Sequence, residues 1–486
     1  MSKSNEPRVV IIGAGMAGIL SGIRLREAGL EDFTIYEKAE RLGGTWRENT
    51  YPGIGCDVPS HIYSYSFAPN PDWSHLYSPG AEILEYFERV AESHGLIESI
   101  RFGEEIVRCE FIRGRWMIET STGRRDEADF VIAATGVLHH PKLPDIEGFD
   151  SFEGACFHSA RWDHSVKIDG KRVGIIGTGS TAVQIVGAIT ERVEKLSLFQ
   201  RTAQWIAPQE NTPYSEEQKS GFRADVKGLH AMRREMAQAF HEAFSNGLLD
   251  ANSPQMTNLQ ETCRKNLEEN VHDPELRERL RPNYQAACKR LVISPNFYEV
   301  IQRPNAELVT DPIECVEPAG VRTRDGTLHE LDVLVLATGF RVDRFVRPTE
   351  VIGRGGVKLE QVWAERPAAY LSISIPDMPN FFLLNGPNGP VGNFSLIEIA
   401  EQQIGYVLQL VELYRSGACR EVCVSSDALA RFDAERVEAT RGTVWSTGCR
   451  SWYLDDRGVP ATWPWSFERF CEEMSAPKLE DYELVA

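Results

Sequence analysis

The residues whose types and spacing promise chemistry fall in two glycine clusters. Gly13-Ala14-Gly15-Met16-Ala17-Gly18 has the spacing GxGxxG, and Gly177-Thr178-Gly179-Ser180-Thr181-Ala182 has GxGxxA. In such a turn the first glycine permits the tight bend, and the second lets a pyrophosphate approach the backbone. The third lets helix pack on strand, with the phosphate at the helix N-terminus. Twenty-four positions beyond Gly13 stands Glu37, and the same step from Gly177 lands on Arg201. A carboxylate at that place accepts hydrogen bonds from ribose hydroxyls. A guanidinium instead matches a 2′-phosphate, which a carboxylate would repel. The pair therefore predicts two dinucleotide sites, Glu37 suiting FAD and Arg201 suiting NADPH over NADH.

Each cluster needs a strand before it and a helix after it. Residues 8–12 read as a short buried strand, and Ile19, Ile23, Leu25 and Ala28 mark a helix that stops at Gly29 before a second strand at 33–36. The pattern repeats as a strand at 172–176, a helix marked by Val183, Ile185, Val186 and Ile189, and a strand at 195–200. Both halves close with a buried strand and a glycine turn, at 131–136 and at 335–340. The fold class expected is α/β, with two Rossmann-like dinucleotide-binding domains for FAD and NADPH. The first part of the FAD domain is read as 1–145 and the first part of the NADPH domain as 146–212. A polar, charged helical insertion follows at 213–285, then the second part of the NADPH domain at 286–345 and of the FAD domain at 346–486. Within the last segment, Asn385-Gly386-Pro387-Asn388-Gly389-Pro390 is a turn cluster ahead of a helix marked by Ile397, Ala400, Ile404 and Val411. The N-terminal end of that helix is expected to face the flavin ring. Residues 442–464, full of Gly, Trp and Pro without a clear period, suit a mobile lid over the nicotinamide.

Composition narrows the classes. The 486 residues are 42% hydrophobic and 25% charged, an ordinary globular balance that excludes disordered, collagenous and disulfide-scaffold chains. A formal charge of −19 leaves no electrostatic footprint for nucleic acid. No apolar run approaches a membrane span. The stretch 9–20, behind Lys3 and Arg8, has the look of a secretory signal, but its glycines argue otherwise. Ten cysteines include no CxxC pair, Cys419 and Cys423 being closest, so neither a zinc ribbon nor a dithiol redox centre is expected, and no metal site. Reduced thiols in a cytoplasmic protein are expected instead. Without a CxxC, electrons on a flavin have no disulfide to go to, and oxygen is the remaining acceptor.

Three motifs resemble the class B flavoprotein monooxygenases, in particular the type I Baeyer–Villiger monooxygenases. The run from Phe152 through Gly154, His158 and Trp162 to Asp163 is similar to the family fingerprint FxGxxxHxxxW followed by Pro or Asp. Gly43-Gly44-Thr45-Trp46, with Tyr51-Pro52-Gly53 and Asp57, resembles its second fingerprint. Cys288-Lys289-Arg290 and Ser451-Trp452-Tyr453-Leu454 resemble its active-site Lys-Arg pair and its Trp-bearing C-terminal loop. Two departures stand out. Ser159 follows His158 where Baeyer–Villiger members usually have Thr, and the long N-terminal extension of many members is missing. Ser is common there in amine- and sulfide-oxidising relatives, but those usually carry Tyr or Phe in place of Trp162.

The resemblance implies NADPH- and O2-dependent insertion of one oxygen beside a ketone carbonyl, giving an ester or lactone through a C4a-peroxyflavin. That oxidant is an anion, so its site must be dry and cationic. Arg290 is the expected catalytic cation and Asp57 its orienting partner. Lys289 is expected beside Arg201 as a second cation for the 2′-phosphate, with Thr202 adding a hydroxyl. Ser180, Thr181 and Gln184 sit where their donors face the cofactor. On the FAD side the expected contacts are Gly44, Thr45, Trp46, Asp57 and Tyr63, and on the lid Trp452. His158 is assigned to domain motion rather than to acid–base work. Two rivals remain open: oxidation of sulfur or nitrogen by the same flavin, and a flavin reductase or binding protein without oxygenation. The partners expected are a small ketone and O2, with oligomeric state left open.

Overall fold

A computed structural model describes residues 6–486; Lys3, ahead of the apolar stretch, lies outside them. Two five-stranded, wholly parallel sheets organise the chain. In the first, Val9–Ile12 lies between Phe33–Glu37 and Phe130–Ala133, with Ile11 opposite Ile35 and Ile132. In the second, Arg172–Ile176 lies between Lys195–Phe199 and Val333–Leu336, with Ile175 opposite Leu198 and Val335. Helices cover both faces of such sheets, so their central strands read as unbroken apolar runs, and VVII, FVIA and VLVL are buried throughout. The helices that the glycine turns open are Met16–Glu27 and Ser180–Ile189.

The two units differ in what flanks the closing strand. In the first sheet it is Phe381–Leu383, from the far end of the chain. In the second it is Ala155–His158, the strand that ends at the fingerprint histidine. Each unit also carries an antiparallel meander before its closing strand: Ile106–Ile112, Arg115–Thr120 and Arg125–Ala128 in one, Ile313–Glu317, Gly320–Thr323 and Leu328–Glu330 in the other. The main core packs the apolar faces of Met16–Glu27 and Leu396–Arg415 together, with Ile19, Ile23, Ile404 and Val411 fully buried. The polar insertion is helical, with Glu216–Ala224, Val226–Phe240, Pro254–Asn270 and Pro274–Arg279. Among the described residues no helix is long and apolar enough to cross a membrane.

The thiols need one correction. Cys288 and Cys449 form a disulfide across a sequence separation of 161, while the other eight cysteines are free. No local spacing announces this pair. The fold lays the segment before Lys289 against residues 442–464, where both sulfurs join a small core with Trp445 and Tyr453.

Candidate active site

Both dinucleotide turns take the form that a phosphate needs. Gly13 bends at φ 98° and Gly177 at φ 120°, and a Cβ on Gly13 would stand 2.9 Å from the Ala134 carbonyl oxygen. Gly15 and Gly179 are the N-cap residues of their helices, and neither helix receives a side-chain cap. The first backbone N–H groups are thus left for an incoming anion. A Cβ on Gly179 would meet nothing within 4 Å, so the backbone there is open to close approach. These features fit a dinucleotide at each turn.

The two end-of-strand residues are treated differently by their surroundings. Glu37 is 4% exposed. Its carboxylate accepts from Ala14 N at 2.9 Å, Ala39 N at 3.0 Å and Arg47 Nη1 at 3.1 Å. Arg201 is exposed, and among the described residues its guanidinium has no carboxylate or hydrogen-bond partner. Lys289 comes up beside it with its ammonium 4.4 Å from the centre of the Tyr284 ring. Burial, and then the like charge of Arg201, hold the Lys289 pKa below its ordinary value. Thr202 lies in the same turn, its carbonyl accepting from Thr178 Oγ1 at 2.8 Å. Among the described residues neither cation is paired with an acid, and Lys289 is near enough to feel the charge of Arg201, an arrangement that fits a dianion.

Of the residues on the second turn, Ser180 and Thr181 are partly buried at the helix start. Gln184 faces the other half of the molecule instead. Its amide donates to the Gly55 carbonyl at 3.0 Å and its oxygen accepts from Tyr51 Oη at 2.8 Å, so its side chain latches the two halves together. On the first half, Gly44 at φ 52° starts the short helix Thr45–Glu48. Trp46 Nε1 donates to Tyr63 Oη at 3.2 Å with the rings edge-on, and burial pushes the Tyr63 pKa up. His158 is 5% exposed, its Nε2 3.0 Å from the Gly339 carbonyl and its Nδ1 accepting from Ala160 N. Burial lowers its pKa. It ties the fingerprint strand to the closing turn of the second unit, away from Arg290's partners.

Arg290 and Asp57, 233 residues apart, are brought together. Nε and Nη2 of the guanidinium both donate to Asp57 Oδ2, at 3.0 and 2.6 Å, and Nη1 donates to the Gly392 carbonyl at 3.0 Å. Burial opposes the charge, but the Asp57 carboxylate and then Tyr453 outweigh it and leave the Arg290 pKa above its ordinary value. Its side chain remains 30% exposed, so the cation is fixed yet reachable. Three parts of the chain meet at this point: the segment after Trp46, the exit of the helical insertion, and the glycine-rich stretch before Leu396–Arg415. Gly392 and Tyr453 carry no assignment from the sequence. The only signals are that Gly392 continues the turn cluster of 385–390 and that Tyr453 adjoins Trp452. Trp452 itself is 41% exposed, its ring 4.2 Å from that of Tyr453.

The chain matches the flavin-binding monooxygenase-like family over residues 6–346. It is 43% identical to an uncharacterized monooxygenase of Mycobacterium tuberculosis, over 98% of this chain and 96% of that protein. It is 37% identical to a Baeyer–Villiger monooxygenase of Streptomyces coelicolor, over 98% and 92%. Among solved structures, the NADP+-bound cyclohexanone monooxygenase of Rhodococcus sp. Phi1 superposes with a TM-score of 0.87 at 30% identity, over 99% of both chains.

Proposed function

The chain belongs to the flavin-binding monooxygenases of the Baeyer–Villiger kind, and from that premise we propose that it binds FAD and NADPH and uses O2 to insert one oxygen atom beside the carbonyl of a small ketone, giving an ester or lactone. FAD, once reduced by NADPH, would supply the activated oxygen. The glycine turn at Gly13 receives the FAD pyrophosphate and Glu37 the ribose hydroxyls. The turn at Gly177 receives the NADPH pyrophosphate, and Arg201 with Lys289 takes its 2′-phosphate. Arg290 keeps its proton throughout and stabilises the negative charge that gathers on oxygen as the carbonyl is attacked. Asp57 holds that guanidinium in one place, so no reorganisation is needed at the moment of reaction. The reading rests on this Asp57–Arg290 pair at the junction of the three chain segments.

A panel of linear, cyclic and aryl ketones, followed by NADPH consumption and product analysis, tests it. An ester product supports the reading. A protein that oxygenates thioethers or amines but no ketone belongs to the heteroatom oxidisers that share Ser159, and one that oxygenates nothing is a flavin reductase where it consumes NADPH and a flavin-binding protein where it does not. Within the panel, Arg290→Ala should keep its flavin, lose ketone oxygenation by about 100-fold or more, and release hydrogen peroxide from whatever flavin becomes reduced. Near wild-type ester formation by that variant would move the working charge elsewhere.

A further inference from the structure

Arg290 presents five N–H donors, of which three are taken by Asp57 and Gly392. Tyr453 lies nearby. Its ring is 4% exposed, and its hydroxyl lies so close over Gly392 that a Cβ on that glycine, at φ 94°, would stand 2.0 Å from it. Gly392 is the residue whose carbonyl accepts from Arg290, so the hydroxyl stands close to the guanidinium, the phenol pushed up in pKa by burial and drawn back by the arginine charge. The main chain of Tyr453 is held as well, its carbonyl accepting from Ala461 N at 2.7 Å. Four residues earlier in the same glycine- and tryptophan-rich stretch, Cys449 is bonded to Cys288, two residues before Arg290. The catalytic segment and the loop are therefore joined covalently, and the loop also sets the phenol against Gly392, the carbonyl partner of Arg290.

We propose that Tyr453 is a positioning residue for the Arg290 guanidinium, and that the Cys288–Cys449 disulfide is the tether that keeps it there. The proposal rests on Arg290 being the working cation of the proposed reaction. As an acceptor for a fourth N–H, the Tyr453 oxygen completes a ring of fixed partners around the guanidinium and leaves one donor for the reacting oxygen. Without the phenol the guanidinium is held on two sides only and can swing away. A dithiol reductant such as dithiothreitol opens the tether by exchange. Two electrons and two protons pass to the cysteine sulfurs, and the reductant closes to its own cyclic disulfide.

Tyr453→Phe, Cys449→Ser and the double variant test this in the flavin-loaded enzyme, alongside Arg290→Lys with and without Tyr453→Phe. Tyr453→Phe should lower kcat for ketone oxygenation about tenfold, leave the NADPH KM within twofold, and raise the hydrogen peroxide released per NADPH. In the Arg290→Lys background the same change should cost less than twofold, since a compact ammonium has no fork to hold, whereas a merely structural role would multiply undiminished. Cys449→Ser and dithiothreitol-treated wild type should reproduce the Tyr453→Phe loss and add little to it. Two readouts do not depend on ketone chemistry. Denatured wild type should show eight reactive thiols before reduction and ten after it. Tryptic cleavage after Arg450 should speed up severalfold in Tyr453→Phe and in Cys449→Ser. A wild type that oxygenates no ketone overturns the proposed function, and the proteolysis and thiol results then decide this inference alone. Ten reactive thiols before reduction overturn the tether. Tyr453→Phe within twofold of wild type in both kcat and proteolysis overturns the positioning role.

Discussion

The two dinucleotide units are one design carried out twice, and the instructive difference lies at the end of the second strand. In the first unit Glu37 is buried and engaged with two backbone N–H groups and Arg47. In the second, Arg201 stands exposed beside Lys289, and burial plus Arg201's charge depress that lysine's pKa. The first site is braced by its own protein, as suits a cofactor that stays. The second, among the described residues, keeps two cations without a counter-anion, as suits one that brings its own phosphate and leaves. A further contrast sits in the turns. The position of Gly18 in the first is filled by Ala182 in the second, and at the second glycine the Gly44 backbone stands 3.6 Å from a Cβ on Gly15 whereas a Cβ on Gly179 would meet nothing within 4 Å.

The strongest way to break this comparison is to add one methyl to each turn, at its third glycine position in the first unit and at its second in the other. A Cβ on Gly18 would lie 1.8 Å from the Gly13 carbonyl oxygen, so Gly18→Ala must move backbone in the turn itself. The expected cost is about 3 kcal/mol or more, with purified protein largely free of flavin by its visible absorbance. Gly179→Ala should do the opposite. Its residue has φ −73° and an open surround, so folding stability should change by about 0.5 kcal/mol or less and the flavin should stay. The added methyl nevertheless stands where the second pyrophosphate approaches, and the dissociation constant for NADP+ should rise about tenfold or more. Full flavin content in Gly18→Ala would mean that the contact with the Gly13 carbonyl does not decide whether the first turn forms.

A smaller effect sharpens the charge contrast. Arg201→Ala should raise the NADPH KM by roughly 10- to 100-fold, as expected for loss of a charge-assisted contact, and leave the NADH KM nearly unchanged. Steady-state kinetics with both nucleotides measures it. Wild-type enzyme that uses NADH as well as NADPH would remove the meaning assigned to the Glu37/Arg201 difference.

Much of this was legible in the sequence because it is local. The glycine spacings, the apolar runs beside them and the residue 24 positions on are all short-range consequences of one strand–turn–helix–strand unit, and the parallel registers follow from it. The Asp57–Arg290 contact was reached through the motif resemblance, since nothing local links residues so far apart. What stayed hidden depends on how three distant segments pack. Gln184 looks like a cofactor donor on its helix, but the neighbouring half offers Gly55 and Tyr51 at hydrogen-bond distance. The disulfide, Gly392 and Tyr453 have no period and no spacing rule. Residues 442–464, expected as a mobile lid, have the short turn Val444–Ser446 and a Leu454–Pro460 bridge as regular structure, and they touch the rest of the chain through the Cys288–Cys449 bond, the core around Trp445 and Tyr453, and backbone bonds such as Trp463 N to the Gly389 carbonyl at 3.2 Å.

The finest test of the comparison uses pH. If Lys289 binds the 2′-phosphate as an ammonium, NADPH affinity must fall as pH rises through the Lys289 pKa of the free enzyme. Burial and the charge of Arg201 both lower that pKa from its ordinary 10.5, so the fall should begin earlier than an unperturbed lysine would allow. Arg201→Ala removes the like charge and should move this alkaline limb to higher pH, even as it weakens binding overall. Lys289→Arg should abolish the limb, because a guanidinium does not titrate in the range. The acidic limb, set by the phosphate's own second ionisation near pH 6, should keep its position in all three proteins. Titrations of NADP+ by flavin absorbance between about pH 6 and 10 would read both limbs. NAD+, lacking the phosphate, should show neither. An alkaline limb that stays put in Arg201→Ala, or that NAD+ shares, would mean that the two cations do not act on one phosphate, and that the second unit differs from the first in sequence but not in what it selects.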